Sequence, residues 1–322
     1  MHFFKKLMGQ REFMIFAIVG VMFLIMSSAS PYFLTSGNLL ALLLALSLES
    51  LIAVAMTNLM ASGGFDMSVG SIVAFTGAAV AMLMKLGFPV PIAVLAGLCV
   101  GAAAGLFNGF TVAVIGINPF VTTLASLSLF RGLTMIITQG KNIAPLPAAF
   151  NAIGQTKILG VQSPIWITLF FVALGDIMLR KSRFFRQNYF IGGNERTARL
   201  SGIHVTKMKI LNYALTGFFA GLAGVILTAR LGAASVTTGT GLELRVITAV
   251  IIGGASLGGG EGTVLGAFFG SLLMALIINA LTLLGVDVYW QTFVIGATLL
   301  AAVLIDQFGK IRRENLAVKK NL

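Results

Sequence analysis

Ten carboxylates, two histidines and one cysteine are all that 322 residues offer to acid–base, metal or thiol chemistry. His2 and His204 are too few for a histidine-based metal site or triad. The lone Cys99 excludes an internal disulfide and any multi-cysteine metal site. No catalytic group, cofactor or metal is therefore expected. What remains is charge in costly places. Glu49 interrupts an apolar run, in Ser47-Leu-Glu-Ser50, and Asp66 follows Gly63-Gly64 and precedes Ser68 and Ser71. Ionisable groups at membrane depth are functional candidates by default. Asp66 reads either as an N-cap satisfying free amides of the next helix or as a gate or pathway residue. Glu49 reads as a carboxylate paired with a neighbouring helix or as part of a path. Asn118, with Asn58 and Asn108, would line a path or bond between helices. Asp66, Ser68, Asn118 and Glu49 are thus the pathway candidates. Arg230, Glu243 and Arg245 flank a stretch rich in Gly, Ser and Thr (Gly232–Gly241), where they would pair with one another or meet an outer partner.

The elements that position these residues must lie in lipid. Hydrophobic residues make up 57% of the chain and charged ones 10%, with mean hydropathy +0.98. A soluble domain carries about 25% charged residues. This composition excludes a water-soluble enzyme, a secreted disulfide scaffold and a disordered tail. Spanning helices need about 20 apolar residues. Candidate spans are Phe13–Phe33, Leu39–Met60, Met67–Lys85, Val90–Ile115, Phe120–Thr138, Ile165–Leu179, Ile210–Arg230, Val246–Leu257, Thr263–Leu284 and Tyr289–Phe308. The first resembles a signal peptide in its basic start, but its length favours an uncleaved helix. The count is about ten, with the short span before Gly258 least secure.

The net charge of +12 marks topology before it marks binding, and nucleic acid is not expected as a partner. Lys5, Lys6 and Arg11 precede the first span, eight Lys and Arg lie between Arg180 and Lys209, and five lie from Lys310 onward. Six crossings before the basic loop and four after it place all three clusters on one side, as the positive-inside rule requires. The expected layout is one transmembrane domain over residues 1–322. Its cytoplasmic parts are 1–12, 180–209 and 309–322. Tyr32, Trp166, Tyr289 and Trp290 fall at outer ends, at headgroup level.

Two motifs recur. Gly101-x3-Gly105-x-Phe107-x-Gly109 returns 161 residues later as Gly262-x3-Gly266-x-Phe268-x-Gly270, counting from 101 to 262. Gly64-Phe-Asp66-Met-Ser-Val69 returns 177 later as Gly241-Leu-Glu243-Leu-Arg-Val246, counting from 64 to 241. Matched spans would run in opposite directions, the pattern of an inverted repeat; short matches also arise by chance in glycine-rich helices. Gly97, Gly101, Gly105 and Gly109, like Gly262, Gly266 and Gly270, would in either case give flat faces for close helix contact.

The basic loop carries Gly192-Gly-Asn-Glu-Arg-Thr-Ala-Arg-Leu-Ser-Gly-Ile203. Asn194 suits an N-cap, Glu195 and Arg199 sit four apart in the favourable order, and Gly202 suits a helix end. A short capped helix is predicted. This segment resembles the coupling loop of ribose-type permeases, the membrane subunits of ABC sugar importers, at Gly192, Gly193, Asn194, Glu195, Ala198, Ser201, Gly202 and Ile203. The chain is similar to the same family at Gly63–Gly70, Asn118–Leu124, Ala229–Gly232 and Ala249–Thr263. Thr197 and Arg245 depart from its pattern. The resemblance implies an all-α, type II importer architecture of about ten helices, with residues 1–322 as one permease domain in a bacterial inner membrane, and a second permease subunit. It also implies cytosolic ATPases docking on Asn194, Glu195, Arg196, Ala198, Arg199, Leu200 and Gly202, and an outer sugar-binding protein. The chain has no Gly-x4-Gly-Lys-Ser/Thr loop of its own, so ATP would be bound by the partner. A branched-chain amino acid permease and an ion-coupled carrier are the alternatives.

Overall fold

The structure, a computed structural model, describes residues 11–320. Lys5, Lys6 and His2 lie outside the described residues, as does most of the expected N-terminal segment 1–12. Thirteen helices follow in order: α1 (Arg11–Ala29), α2 (Ser36–Ala61), α3 (Val69–Lys85), α4 (Val90–Phe110), α5 (Pro119–Thr138), α6 (Ala148–Gln155), α7 (Ser163–Lys181), α8 (Gln187–Gly193), α9 (Glu195–Leu200), α10 (Val205–Leu231), α11 (Leu242–Ile252), α12 (Val264–Leu283) and α13 (Val288–Lys320). A five-residue π-helical turn, Thr111–Ile115, extends α4 and stops at Gly116 in the left-handed region. Two-residue strands β1 (Lys157–Ile158) and β2 (Val161–Gln162) pair antiparallel between α6 and α7.

Local signals start these helices. Proline opens α4, α5 and α7, where its missing N–H costs nothing. Thr35, Asn118 and Thr263 cap α2, α5 and α12 with side-chain oxygens. The core is α2, α3, α4 and α10. A Cβ on Gly101, Gly105 or Gly109 would strike the backbone of α10 at Gly217, Tyr213 or Ile210, so these glycines are what lets α4 and α10 touch. Gly97 serves the same end against Val80 of α3. The first helix is integral to the bundle: Ile15, Val19 and Met26 pack on Leu273, Leu276 and Ala280 of α12.

An inverted repeat is legible in the pairings. α3 packs on α4, α5 and α10, while α11 packs on α12, α13 and α2. The 177-residue match is close to the structural offset, 173 from the start of α3 at 69 to that of α11 at 242, so Asp66 lies just ahead of α3 and Glu243 just inside α11. The 161-residue glycine match is not. Gly101 lies deep in α4, whereas Gly262 precedes α12, and Gly266 and Gly270 face Gly253 and Ala249 of α11. Those glycines admit α11 closely, but they are not repeat-equivalents of the α4 ladder.

Among the described residues, eight helices are long and apolar enough to cross a membrane. α3 has 17 residues and α11 only 11. At about 1.5 Å per residue, α11 covers roughly half a 30 Å hydrocarbon core. The expected span 246–257 is therefore a half-span. Residues 232–241 fill the rest as irregular chain, which membrane interiors tolerate only where protein encloses it. One end of the bundle gathers the start of α1, the 180–209 loop and the far end of α13, with contacts from Glu12 to Arg180 and from Ser256 to Asp306 (2.9 Å).

Candidate functional site

At that basic end α8 and α9 form an elbow. Asn194 is extended, and its Oδ1 accepts from the Thr197 amide at 2.9 Å, capping α9. Glu195 accepts from Arg199 at 2.7 Å and from Lys209 of α10 at 2.6 Å. Burial would raise the Glu195 carboxyl, but the hydrogen bonds and charges of Lys209 and Arg199 outweigh it and hold it below its ordinary value of 4.5. Ala198 is buried with Ile191, Val205 and Met208, giving the elbow a small core of its own. Gly202 ends α9 at φ +83°. The outward face carries Arg196, Arg199 and Leu200, the last 83% exposed.

The elbow is fastened to the spans at two places. A Cβ on Gly192 would collide with the Ala61 carbonyl at the end of α2 and with the Gly260 amide, so three chain segments meet there only because the residue is glycine. The Ala61 carbonyl itself accepts from Gly260 at 2.9 Å. Next to it lies a buried knot of which the sequence singled out only Asn58. Asn212 of α10 donates to Asn188 of α8 at 2.9 Å and to Ser62 at 3.1 Å, and Asn188 reaches toward Asn58 of α2 at 3.5 Å. Asn188 and Asn212 sit in polar loop sequence or at a helix start, where nothing in the pattern signals complete burial.

Asp66 forms a second buried cluster at the start of α3. Its Oδ1 accepts from the Ser68 amide (2.7 Å) and hydroxyl (2.6 Å), and its Oδ2 accepts from Asn108 of α4 (3.0 Å). Asn108 accepts in turn from Ser126 of α5 at 2.6 Å. All of Asp66, Ser68 and Asn108 are inaccessible to solvent. Asp66 thus makes a turn just ahead of the helix instead of capping it: Ser68 holds the cap position, but its hydroxyl bonds Asp66 and Asn108 and not a free amide of the helix. Asn118 is an N-cap, accepting from the Phe120 amide at 2.8 Å, and joins no interhelical bond in the described residues.

The pseudo-equivalent start of α11 is built differently. Gly239 and Gly70 approach so closely that a Cβ on either would strike the other's carbonyl, and Glu243 lies against Gly70. Arg131 of α5 donates to the Val236 and Thr238 carbonyls at 2.7 and 2.9 Å, tying the irregular 232–241 chain to α5. Arg245 pairs with Glu49 at 2.8 Å. The partner of Glu49 is therefore Arg245, and Arg245 does not pair with Glu243 or face an outer protein. Glu243 is likewise turned to α3, and Arg230 lines an interior cavity. Arg245 lines the same cavity as Arg230, while Glu243 is turned away to Gly70, so the three do not form one surface cluster.

With this geometry in hand, comparison with known proteins is direct. The family described as "Branched-chain amino acid transport system / permease component" matches residues 38–303. The Ribose import permease protein RbsC of Escherichia coli strain K12 is 41% identical over 89% of this chain and 90% of its own length. The L-arabinose transport system permease protein AraH of the same strain is 37% identical over 90% of this chain and 89% of its own. Among solved structures, PsaBC from Streptococcus pneumoniae in complex with Fab aligns at TM-score 0.47 and 18% identity, covering 85% of this chain and 92% of that one. The chain belongs to the branched-chain amino acid transport system / permease component family.

Proposed function

We propose that the chain is the membrane permease of an ATP-driven importer of a monosaccharide. The observation that carries this is the likeness, over nine-tenths of the chain, to permeases named for ribose and L-arabinose. The same likeness disfavours a branched-chain amino acid as cargo. An ion-coupled carrier is disfavoured by the interior charges: Glu49 is engaged by Arg245, and Asp66 is sealed among hydrogen bonds.

In this reading the basic end faces the cytosol, as do both termini, and a second permease subunit completes the path. Cytosolic ATPase subunits bind the α9 elbow through Arg196, Arg199 and Leu200. An exposed leucine amid basic residues on a short rigid helix suits a groove in a partner, where a few buried anchors dominate affinity. ATP binding moves the elbow, and Gly192 and the Asn188–Asn212 knot pass that motion to the ends of α2 and α10. A soluble binding protein delivers the sugar on the other side and sets most of the specificity. A tight midway site would slow release, so the path is expected to hold sugar weakly.

Charge reversal at Glu195 or Arg199 tests the coupling. Uptake of labelled D-ribose or L-arabinose in cells should fall while the chain still reaches the membrane. Undiminished uptake in both reversals contradicts the coupling role.

A further inference from the structure

Near the basic end of the bundle, a groove of about 230 Å3 lies between α2, α7 and α10. Phe171, Leu174 and Met178 of α7 form one wall, Leu215 and Phe218 of α10 the other, and Phe185 of the loop after α7 closes the end. Leu174 and Met178 are exposed, so the groove opens sideways, where the membrane would be. Asn58 is the one polar side chain in the lining, and it is already spent: it donates to the Val54 carbonyl at 3.1 Å and meets Asn188 in the buried knot. Phe171 lies ten residues before the end of α7, counting from 171 to 181. At about 1.5 Å per residue this is roughly 15 Å, the depth of one leaflet of a 30 Å hydrocarbon core.

The rim of the groove is cationic. Arg183 and Arg186 flank Phe185 in the turn between α7 and α8, and both are exposed. The carboxylates Glu12, Asp176 and Glu195 are taken by Arg180, Arg199 and Lys209. Neither Arg183 nor Arg186 pairs with a carboxylate among the described residues. Phe184, 46% exposed, meets Phe185 edge-on at 5.3 Å between ring centroids. An exposed aromatic ring beside two arginines suits headgroup level, not bulk water.

An apolar slot one leaflet deep, ending beneath two unpaired guanidinium groups, fits a ligand with a hydrocarbon chain and an anionic head. A guanidinium matches a phosphate group in shape and charge. A sugar would find no free polar side chain in the slot. A second copy of this chain would bring its own basic end against Arg183 and Arg186, and like charges disfavour that contact.

We propose that this groove holds an acyl chain of an anionic phospholipid from the leaflet at the basic end, with its phosphate on Arg183 and Arg186. Basic pockets between membrane helices at the cytosolic side recognise such headgroups. The inference needs only the placement of these helices in the membrane and does not depend on the cargo.

Quenching by brominated lipid tests it, on the full-length chain in phosphatidylcholine nanodiscs. Trp166→Phe and Trp290→Phe remove the native tryptophans, and Leu174→Trp puts a reporter in the groove. Leu106→Trp, at an exposed apolar position near the same end of α4, reports on ordinary boundary lipid. Brominated phosphatidylglycerol should compete for the groove about fivefold better than brominated phosphatidylcholine, with a ratio of about one at position 106. Joining Arg183→Gln to Arg186→Gln should bring the groove ratio to about one. Equal quenching by the two lipids in the groove overturns the proposal. The same preference at position 106 overturns it too, because surface charge alone would then suffice. So does quenching at position 106 with none in the groove, which means that protein closes it. Should Leu174→Trp fail to reach the membrane, Phe218→Trp on the opposite wall carries the same comparison. Sugar uptake does not enter the test, so its failure leaves the functional reading standing.

Discussion

The starts of α3 and α11 occupy equivalent places in the repeat, and each carries an acid beside a glycine-bearing turn, Asp66 three residues ahead of α3 and Glu243 as the second residue of α11. Around Asp66 every polar group finds a protein partner: Ser68, Asn108 and Ser126 close the cluster, and solvent is excluded. Around α11 the same device is left open. Arg245 reaches across to Glu49, one carboxylate oxygen stays unbonded, and a cavity begins there. A repeat thus supplies two copies of one loop–helix start. One is fully bonded within the protein, and the other keeps an unmade bond beside a cavity. Fully satisfied polar clusters rigidify, and unpaired ones cost stability.

Substitutions can break this comparison. Asp66→Ala should be the most damaging, about 3 kcal/mol, because Asn108 and Ser68 lose charge-assisted bonds with no water to replace them. Thermal unfolding in detergent measures it, and a small loss would mean the cluster is not sealed. Arg245→Met should cost less, about 2 kcal/mol, since the cavity lets water reach Glu49. Adding Glu49→Met to it should recover most of that loss; a double variant weaker than the single would show that the pair is not isolated. Asn212→Ala should cost about 1 kcal/mol of stability. It should lower uptake more than its stability loss accounts for, because it loosens the elbow from α10; uptake and ATPase activity measured together separate the two. The smallest effect concerns pH. The Glu195 carboxyl is held below its ordinary value, so the stability it lends the elbow is present above that value and lost as pH falls through the lowered one. Screening at this exposed site keeps the effect within about 1 kcal/mol. Limited proteolysis of the 180–209 loop from pH 7 downward should show protection to about pH 4.5 and cleavage only below it, and Lys209→Gln should shift the onset upward.

The sequence made the outline legible. Apolar length located the long helices, basic clusters located one end, and Asn194, Glu195, Arg199 and Gly202 specified α9 and its cap, because capping and i,i+4 pairing are local. Long-range geometry was not legible. The 161-residue glycine match misled because glycine marks close approach to any neighbour, and α4 and α12 approach different ones. The span Val246–Leu257 was suspect for its shortness, but the start of α11 at Leu242 and its end at the Gly253–Gly254 turn were not legible, since the Gly70–Gly239 contact that sets the start is long-range. The buried Asn58, Asn188 and Asn212 knot joins residues far apart in the chain, and no periodicity announces such a meeting.

The central claim is that a motor on the cytosolic side drives a sugar through this subunit by way of α9. The most direct measurement reconstitutes the chain with its cognate ATPase and binding protein in proteoliposomes and follows labelled D-ribose and L-arabinose. ATP on the side bearing α9 should drive accumulation of at least one sugar, and collapsing the membrane potential should leave the rate unchanged. Accumulation that follows an imposed ion gradient without ATP, and stops when the gradient is dissipated, would contradict it.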